Sequence, residues 1–244
     1  MSVPLRAWLC TLVAAALLLS PGRNAAAEDA APSAPAKPRP NAATQPVPGG
    51  VRWYMRNHAS NLEKTKRHKF DICFLGDSIT AMWPGDLLQK TCGKAQVTNF
   101  GIGGDRTENV LWRLDRGELD KTSPKVIVLL IGTNNMGFNT PAEIAEGVAA
   151  VIARLQVKCP SAKILLVGIF QKKDTPAEKI VATNALLAKL DDGKGIRYRD
   201  FGALFLDEQG KLKPGMLSDS VHLTRQAYEI WGAAMAPVLA EMCQ

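Results

Sequence analysis

The sequence predicts an α/β protein, a three-layer sandwich in which helices cover both faces of a five-stranded parallel sheet. The first observation is a set of short segments, several of them continuously apolar, which is typical of strands that are buried on both faces. The second is that helical patterns alternate with these segments, as in a parallel sheet with crossover helices. The predicted strands are residues 71–75, 95–100, 125–131, 162–170 and 196–200.

The chain is predicted to have three parts before any fold is considered. Residues 1–27 contain Arg6, a short apolar run and a final Ala-Ala-Ala, a pattern typical of a cleaved export signal rather than of a membrane anchor. Residues 28–50 are rich in Ala and Pro and are expected to form an extended linker. Residues 51–244 are then the single folded domain, exported to the periplasm or secreted.

Charge and cysteine content exclude some classes of function. The formal net charge of +7 falls to +5 when Arg6 and Arg23 leave with the export signal, which carries no acidic residue. The densest basic run, KTKRHK at 64–69, is interpreted as a solvated helix face, so no nucleic-acid partner is expected. The sequence has no CxxC spacing, and neither a metal nor a cofactor is predicted. Four cysteines follow the signal, and their disulfide pairing stays open: Cys73, Cys92, Cys159 and Cys243.

Three helices are predicted most clearly. Thr140, Pro141 and Glu143 form an N-cap, an N1 proline and a capping box that open a helix over 141–158. The same pattern at Thr175-Pro176-x-Glu178 predicts a helix that ends near residue 190. A last helix is expected over about 225–242, with a kink at Pro237.

Polar and glycine-rich segments directly follow the predicted strands. GDS at 76–78 follows the first strand, GIGGDRT at 101–107 the second and GTNN at 132–135 the third, while SDSVHLT at 218–224 precedes the last helix. Right-handed crossovers bring the carboxyl ends of parallel strands to one edge, where α/β proteins bind their ligands. These segments are therefore expected to meet at that edge.

Ser78 is either the cap of the next helix or a nucleophile. A serine hydroxyl needs a neighbouring general base, and histidine is the usual one near neutral pH. His58 and His68 lie before the first strand and are expected to point away from the edge, whereas His222 lies on it. Asp219, three residues earlier, can orient the imidazole within one turn, although a simple helix-capping turn would also explain this pair.

Acyl transfer also needs preorganised donors for the oxyanion. The candidates are the Ser78 amide, a backbone amide in the Gly103-Gly104 turn and the Asn134 side chain, although a tight turn and loop capping are the simpler explanations of the last two. The sequence lacks a phosphate loop, and Thr80 occupies the place of the second glycine in G-x-S-x-G.

These four segments together resemble the SGNH (GDSL-type) hydrolases, and among them most resemble the catalytic subunits of intracellular platelet-activating-factor acetylhydrolase. The resemblance covers about residues 70–240 and includes NFGIGGDRTENVLWRLDRGELD and VHLT. It implies a flavodoxin-like strand order 2-1-3-4-5 and a metal-free mechanism with Ser78 as nucleophile, His222 as base and Asp219 as its orienting carboxylate. It further implies an oxyanion hole from Ser78, Gly104 and Asn134. The implied pocket for a short acyl group consists of Ile79, Thr133 and Val221.

The sequence therefore predicts an exported serine esterase that removes short acyl groups, acetyl foremost, from a small-molecule or carbohydrate ester. Other hydrolases on the same site, such as a thioesterase, a lysophospholipase or a protease, are the alternatives. A non-catalytic module that binds carbohydrate or lipid is a further one. No stable membrane anchor is expected, and the resemblance suggests a homodimer.

Overall fold

The computed structural model describes residues 40–67 and 69–244, and in these ranges one parallel sheet forms the centre of the fold. Its strand order is β2-β1-β3-β4-β5, the flavodoxin-like order that the resemblance implies. Every neighbouring pair is parallel, and β1 pairs with β3 from Ile72↔Val126 to Gly76↔Leu130. The strands are β1 (Ile72–Gly76), β2 (Val97–Asn99), β3 (Val126–Leu130), β4 (Lys163–Val167) and β5 (Ile196–Arg199).

Helices cover both faces of the sheet because successive strand residues point to opposite sides. Cys73 and Leu75 contribute to one apolar cluster, whereas Ile72 and Phe74 contribute to the other. The helices are α1 (Tyr54–Lys66), α2 (Ser78–Ala81), α3 (Gly85–Cys92), α4 (Thr107–Asp115), α5 (Pro141–Lys158), α6 (Ala177–Leu187) and α7 (Arg225–Met242). Helices α4, α5 and α6 pack on the first face, and α2, α3 and α7 on the second.

All five predicted strands are present, but some are shorter than predicted. Strand β4 was expected to reach residue 170 and ends at Val167. Two residues later, the backbone amide and carbonyl of Ile169 bond the side chain of Asn184, at 2.9 and 3.0 Å. An amide side chain there takes the place of a neighbouring strand, so the chain leaves the sheet.

Of the two predicted capping boxes, the structure contains the one at the start of α5 and lacks the one at the start of α6. The capping box of α5 is confirmed, since the Thr140 hydroxyl accepts from the Glu143 amide at 3.3 Å and the Glu143 carboxylate accepts from the Thr140 amide at 2.8 Å. The matching prediction for α6 is wrong in detail: that helix begins at Ala177 behind Pro176, without a side-chain cap. The last helix spans the predicted residues and contains Pro237.

The folded domain was expected to begin at residue 51, and in the structure residues 40–50 also pack on it. Ala43 is fully buried, and its carbonyl accepts a hydrogen bond from the Thr107 hydroxyl at 2.8 Å. The Val47 carbonyl accepts from the Asn109 side chain at 3.0 Å. Short polar contacts of this kind leave no apolar periodicity in the sequence. The export signal and residues 28–39 of the linker lie outside the described residues.

The four cysteines that follow the predicted signal are all free thiols in the structure, and three of them are buried. Cys92, expected in a loop, is instead the last residue of α3. Within the described ranges, no helix is both long and apolar enough to cross a membrane, and no cluster of His, Cys, Asp or Glu has the makings of a metal site.

Candidate active site

Strand β1 delivers Ser78 to the carboxyl edge of the sheet. The cap of the short helix α2 is Asp77, whose carboxylate accepts from the Ile79 amide at 2.9 Å, so Ser78 is not the cap. Ser78 is the first residue of the helix, where backbone N–H groups have no intrahelical acceptor. A Cβ at Gly76 would lie 2.2 Å from the Leu130 carbonyl oxygen, which explains why glycine ends the strand.

His222 and Asp219 lie in residues 218–224, the base loop, which joins the body of the domain to α7. Asp219 Oδ1 accepts from the backbone amides of Val221 and His222, at 2.8 and 2.7 Å. The Ser218 amide donates to the His222 carbonyl at 2.8 Å. These bonds fold the loop into a tight turn, so the three-residue spacing places carboxylate and imidazole side by side.

One hydrogen-bonded chain joins the three residues. His222 Nε2 lies 2.9 Å from Ser78 Oγ, and His222 Nδ1 lies 2.6 Å from Asp219 Oδ2. The amide and the imidazole of His222, together with the Val221 amide, hold the pKa of Asp219 well below its usual range. The carboxylate therefore stays ionised at neutral pH and favours the His222 tautomer with a proton on Nδ1, leaving Nε2 to accept from the serine hydroxyl.

Residues 101–104, the glycine turn, pass directly over α2. A Cβ at Gly101 would lie 2.3 Å from the Ala81 amide nitrogen, so only glycine allows this approach. At Gly103 a Cβ would lie 3.8 Å from Ser78 Cβ. Gly104 has φ +82°, in the left-handed region that glycine adopts without strain. The turn thus lies beside Ser78.

Asn134 follows β3 in a short 3₁₀ turn and is half-buried. Its side-chain amide donates to the Asp105 carbonyl at 2.9 Å, which ties it to the residue that follows the glycine turn. An amide carries two N–H donors, so one remains for a ligand. Together with Gly103 and Gly104, Asn134 lines an open cavity of about 460 Å³ at this edge of the sheet.

The rest of this cavity comes from segments that the sequence did not associate with the site. Gly49, Gly50 and Val51 form part of its wall, and Tyr54 of α1 adds another part. Phe138 lines it as well, with its side chain largely exposed and the Arg106 guanidinium 4.9 Å from its ring centre. Four of the eleven lining residues are glycines, which leave backbone polar groups uncovered.

The three residues of the implied acyl pocket have different environments. Ile79 and Thr133 are almost completely buried, at 1% and 2% exposed. Val221 is half-buried and packs against the apolar cluster that contains Ile79. The Ile79 carbonyl accepts from the Tyr228 hydroxyl at 2.6 Å, which anchors α2 to α7.

Several residues that hold the site together were missed. Asn99 donates from its side chain to the Thr80 carbonyl at 2.6 Å and accepts from the Gly101 amide at 2.8 Å, linking α2 to the glycine turn. Asn135 accepts from the Thr107 amide at 3.0 Å and so links the end of β3 to α4. Asn99 is the last residue of β2 and Asn135 lies in the turn after β3, and this position at a strand end is the one signal in the sequence for their role.

Of the other two histidines, the structure describes His58. His58, which was expected to point away from the edge, lies in α1 and is 5% exposed, and its Nδ1 lies 2.9 Å from Glu118 Oε1. Its helix carries charge on the outside and polar contacts on the inside, a distinction that composition does not reveal. His68 lies outside the described residues.

The comparisons with known proteins agree with this fold. Residues 74–230 match the GDSL-like Lipase/Acylhydrolase family, so the chain belongs to that family and is a carboxylic ester hydrolase. Among curated proteins, it is 34% identical over 191 residues to platelet-activating factor acetylhydrolase IB subunit alpha2 of Gallus gallus, covering 76% of this chain and 82% of the relative. It is 31% identical over 197 residues to the human alpha1 subunit, covering 79% and 83%.

Solved structures with the same fold include a GDSL-like lipase from Bacteroides thetaiotaomicron, with a TM-score of 0.63 and 20% identity over 76% of this chain and 98% of that chain. Another is Est24, a carbohydrate acetylesterase from Sinorhizobium meliloti, with a TM-score of 0.57 and 17% identity over 71% and 100%. At these identities, the likeness establishes the fold alone.

Proposed function

We propose that this protein is an exported serine esterase that removes short acyl groups, acetyl foremost, through an acyl-enzyme on Ser78. The observation that carries the proposal is the hydrogen-bonded chain from Ser78 Oγ to His222 Nε2, at 2.9 Å, and from His222 Nδ1 to Asp219, at 2.6 Å. Hydroxyl, imidazole and carboxylate in this order are the arrangement that activates a serine for attack on a carbonyl.

In the first half of the reaction, His222 Nε2 takes the hydroxyl proton as Ser78 Oγ bonds to the ester carbonyl carbon. The negative charge on the former carbonyl oxygen is stabilised by the amides of Ser78 and Gly104 and by the Asn134 side chain. The ester C–O bond then breaks, and the proton on His222 passes to the departing alcohol. The ionised Asp219 stabilises the imidazolium that exists between the two proton transfers.

In the second half, a water molecule replaces the alcohol. His222 takes one proton from this water as its oxygen bonds to the acyl carbon, and the same donors stabilise the second tetrahedral intermediate. The bond to Ser78 Oγ breaks, and His222 returns its proton to the serine. The products are a carboxylic acid and the free enzyme.

A short acyl group is supported by the environment of the implied pocket. Ile79 and Thr133 are almost fully buried, so their side chains are fixed by packing and do not form an exposed groove for a long chain. The names of the curated relatives, acetylhydrolases, and of Est24, an acetylesterase, agree with acetyl. A thioesterase, a lysophospholipase and a protease are the alternatives on the same site, and a non-catalytic binding module is the other class.

The cavity of about 460 Å³ beside Gly104 and Asn134 is the proposed seat of the alcohol part of the ester. Its backbone-rich lining suits an alcohol with several hydroxyl groups better than an alkyl chain, since hydroxyls can bond to those polar groups. Phe138 offers an exposed aromatic side chain at the same cavity. A carbohydrate ester therefore fits the cavity better than a lipid.

Export rests on the pattern of residues 1–27 and is tested on the mature protein. N-terminal sequencing of protein recovered from the periplasm or the medium should begin at Glu28. Recovery of the full chain from the cytosol alone would contradict export. The homodimer stays a prediction, which light scattering of the purified protein checks.

The central test is Ser78→Ala. Hydrolysis of p-nitrophenyl acetate should fall by about 10⁴-fold or more, because no nucleophile remains, while Tm should change little. A serine-directed phosphonate should label the parent protein at Ser78 with one molecule per chain. Parental turnover by the variant would exclude Ser78 as nucleophile. Failure of the parent to react with either reagent would favour a binding module, and kcat/KM that rises from acetyl to octanoyl would exclude the small pocket.

A further inference from the structure

Arg113 of α4 is a buried cation that contacts two segments of the candidate active site, the strand that leads to Ser78 and the residues on either side of the glycine turn. Its side chain is completely excluded from solvent. Nη1 donates to the Phe100 carbonyl at 3.0 Å, and Nη2 forms an ion pair with Asp105 Oδ2 at 2.7 Å. Nη2 also lies 3.5 Å from the Gly76 carbonyl oxygen.

Each of these contacts borders a part of the proposed machinery. Gly76 lies two residues before Ser78, while Phe100 and Asp105 stand immediately before and after the glycine turn. The Asp105 carbonyl also accepts the side-chain hydrogen bond of Asn134, at 2.9 Å. One guanidinium thus connects the segment of the serine with both ends of the glycine turn and, through Asp105, with Asn134.

We propose that Arg113 is a positioning residue that fixes the distance between Ser78 and the oxyanion donors. This inference rests on the proposed function, because the donors are defined by that reaction. The planar guanidinium presents five N–H groups in a fixed fork and can hold several acceptors at set angles. A lysine ammonium is a single point and cannot reproduce that geometry.

The cost of burying this cation supports a role beyond packing. Removing charges from water costs several kcal/mol per ion, and apolar side chains often stabilise a core equally well. Here Arg113 faces two carboxyl groups, those of Asp105 and Glu118, and Glu118 also contacts His58. Even beside Arg113, burial raises the pKa of Asp105 to about 7. Stability alone thus gives little reason for an arginine at this point.

The experiment compares Arg113→Lys with the parent in two ways. For p-nitrophenyl acetate, kcat should fall about 100-fold while KM stays within about 2-fold, because displaced donors lose contact mainly with the transition state. The inhibition constant of phenylboronic acid, which forms a tetrahedral adduct on a reactive serine, should rise by a similar factor. If Arg113 only stabilised the fold, its replacement would not lower kcat and raise this inhibition constant by the same factor.

The matched control is Leu155→Ala in α5, a fully buried side chain outside the site. This variant should lower Tm at least as much as Arg113→Lys, because it leaves a cavity, while kcat stays within about 2-fold. If Arg113→Lys keeps kcat within 3-fold, or if Leu155→Ala lowers kcat equally, the proposal is wrong.

A second variant, Asp105→Asn, covers the case in which Arg113→Lys does not fold. It keeps the side-chain oxygen that faces Arg113 but removes the charge, so kcat should fall about 3- to 10-fold with KM nearly unchanged. Unchanged kcat in this variant would overturn the proposal. The result for Ser78→Ala is separate: if that variant remains active, the proposed reaction itself fails, whatever Arg113 does.

Discussion

The two halves of the candidate active site are built in opposite ways. Ser78, the glycine turn and Asn134 are held by buried side chains from distant segments, whereas the base loop is held mainly by hydrogen bonds between its own residues. The side chain of Asp219 is 52% exposed and that of His222 is 25% exposed. Arg113, behind the glycine turn, is completely buried. Substitutions in the base loop should therefore affect chemistry alone, and those on the other side should affect chemistry and stability together.

The largest expected effect comes from Asp219→Asn. The Asn oxygen can still accept from the Val221 and His222 amides, so the loop should keep its shape and Tm should stay within about 2 °C. Its side-chain NH₂ cannot accept from His222 Nδ1, which favours the wrong tautomer and should lower kcat by about 10⁴-fold. Kinetics and thermal unfolding of the same preparation check this, and a large loss of Tm would contradict the local character of the base loop.

Asn134→Ala should lower kcat about 10²- to 10³-fold by removing one oxyanion donor. It should also lower Tm by a few degrees, because the Asp105 carbonyl loses its partner. The neighbour Asn135, which is fully buried, provides the control. Asn135→Ala should lower Tm more, and kcat less, than Asn134→Ala does. If Asn135→Ala lowered kcat more than Asn134→Ala, Asn134 would not be the donor.

The buried carboxyl of Asp77, the residue before Ser78, should make the free energy of unfolding depend on pH. Burial raises its pKa from the ordinary 3.8 to about 6, although the Ile79 amide opposes the shift. Because the folded state binds this proton more tightly than the unfolded state, the carboxyl stabilises the fold below about pH 4. That contribution, about 3 kcal/mol, is lost as the pH rises through about 6.

Asp77→Asn should remove this fall in unfolding free energy with rising pH, while the asparagine oxygen still accepts from the Ile79 amide. Unfolding free energies of parent and variant, measured between pH 4 and 8, should differ by an amount that changes across this interval. Parallel curves would show that Asp77 is not the group that titrates there.

The smallest effect is expected from Gly50→Leu at the cavity wall. A Cβ at Gly50 would meet no atom within 4 Å, so the leucine should narrow the cavity without strain. For acetylated xylo-oligosaccharides, kcat/KM should fall about 10-fold, whereas ethyl acetate should be hydrolysed as before. Gly85→Leu, at another open position outside the cavity, should change neither value. Equal losses on both substrates would remove the cavity as the seat of the alcohol.

The same contrast explains what the sequence could predict. The central strands β1, β3 and β4 are predictable because strands buried on both faces are almost entirely apolar. The turn at Asp219 and His222 is predictable because its contacts span three residues. The contacts of Arg113 cannot be predicted in this way. In the sequence, an arginine four residues after Asn109 looks like any solvated position on a helix. The packing of residues 40–50 on the domain could not be predicted for a related reason. Individual hydrogen bonds hold this segment, and such bonds leave no pattern in composition.

The close approach of Gly101 to Ala81 has a practical consequence for redesign of this enzyme. Saturation mutagenesis at position 101 should return only glycine, because any larger residue would push the turn away from α2. A laboratory search for new substrate preferences is better directed at the rim of the cavity. Gly50 and Phe138 offer free space or exposed surface there, and altering them leaves the frame of the nucleophile untouched.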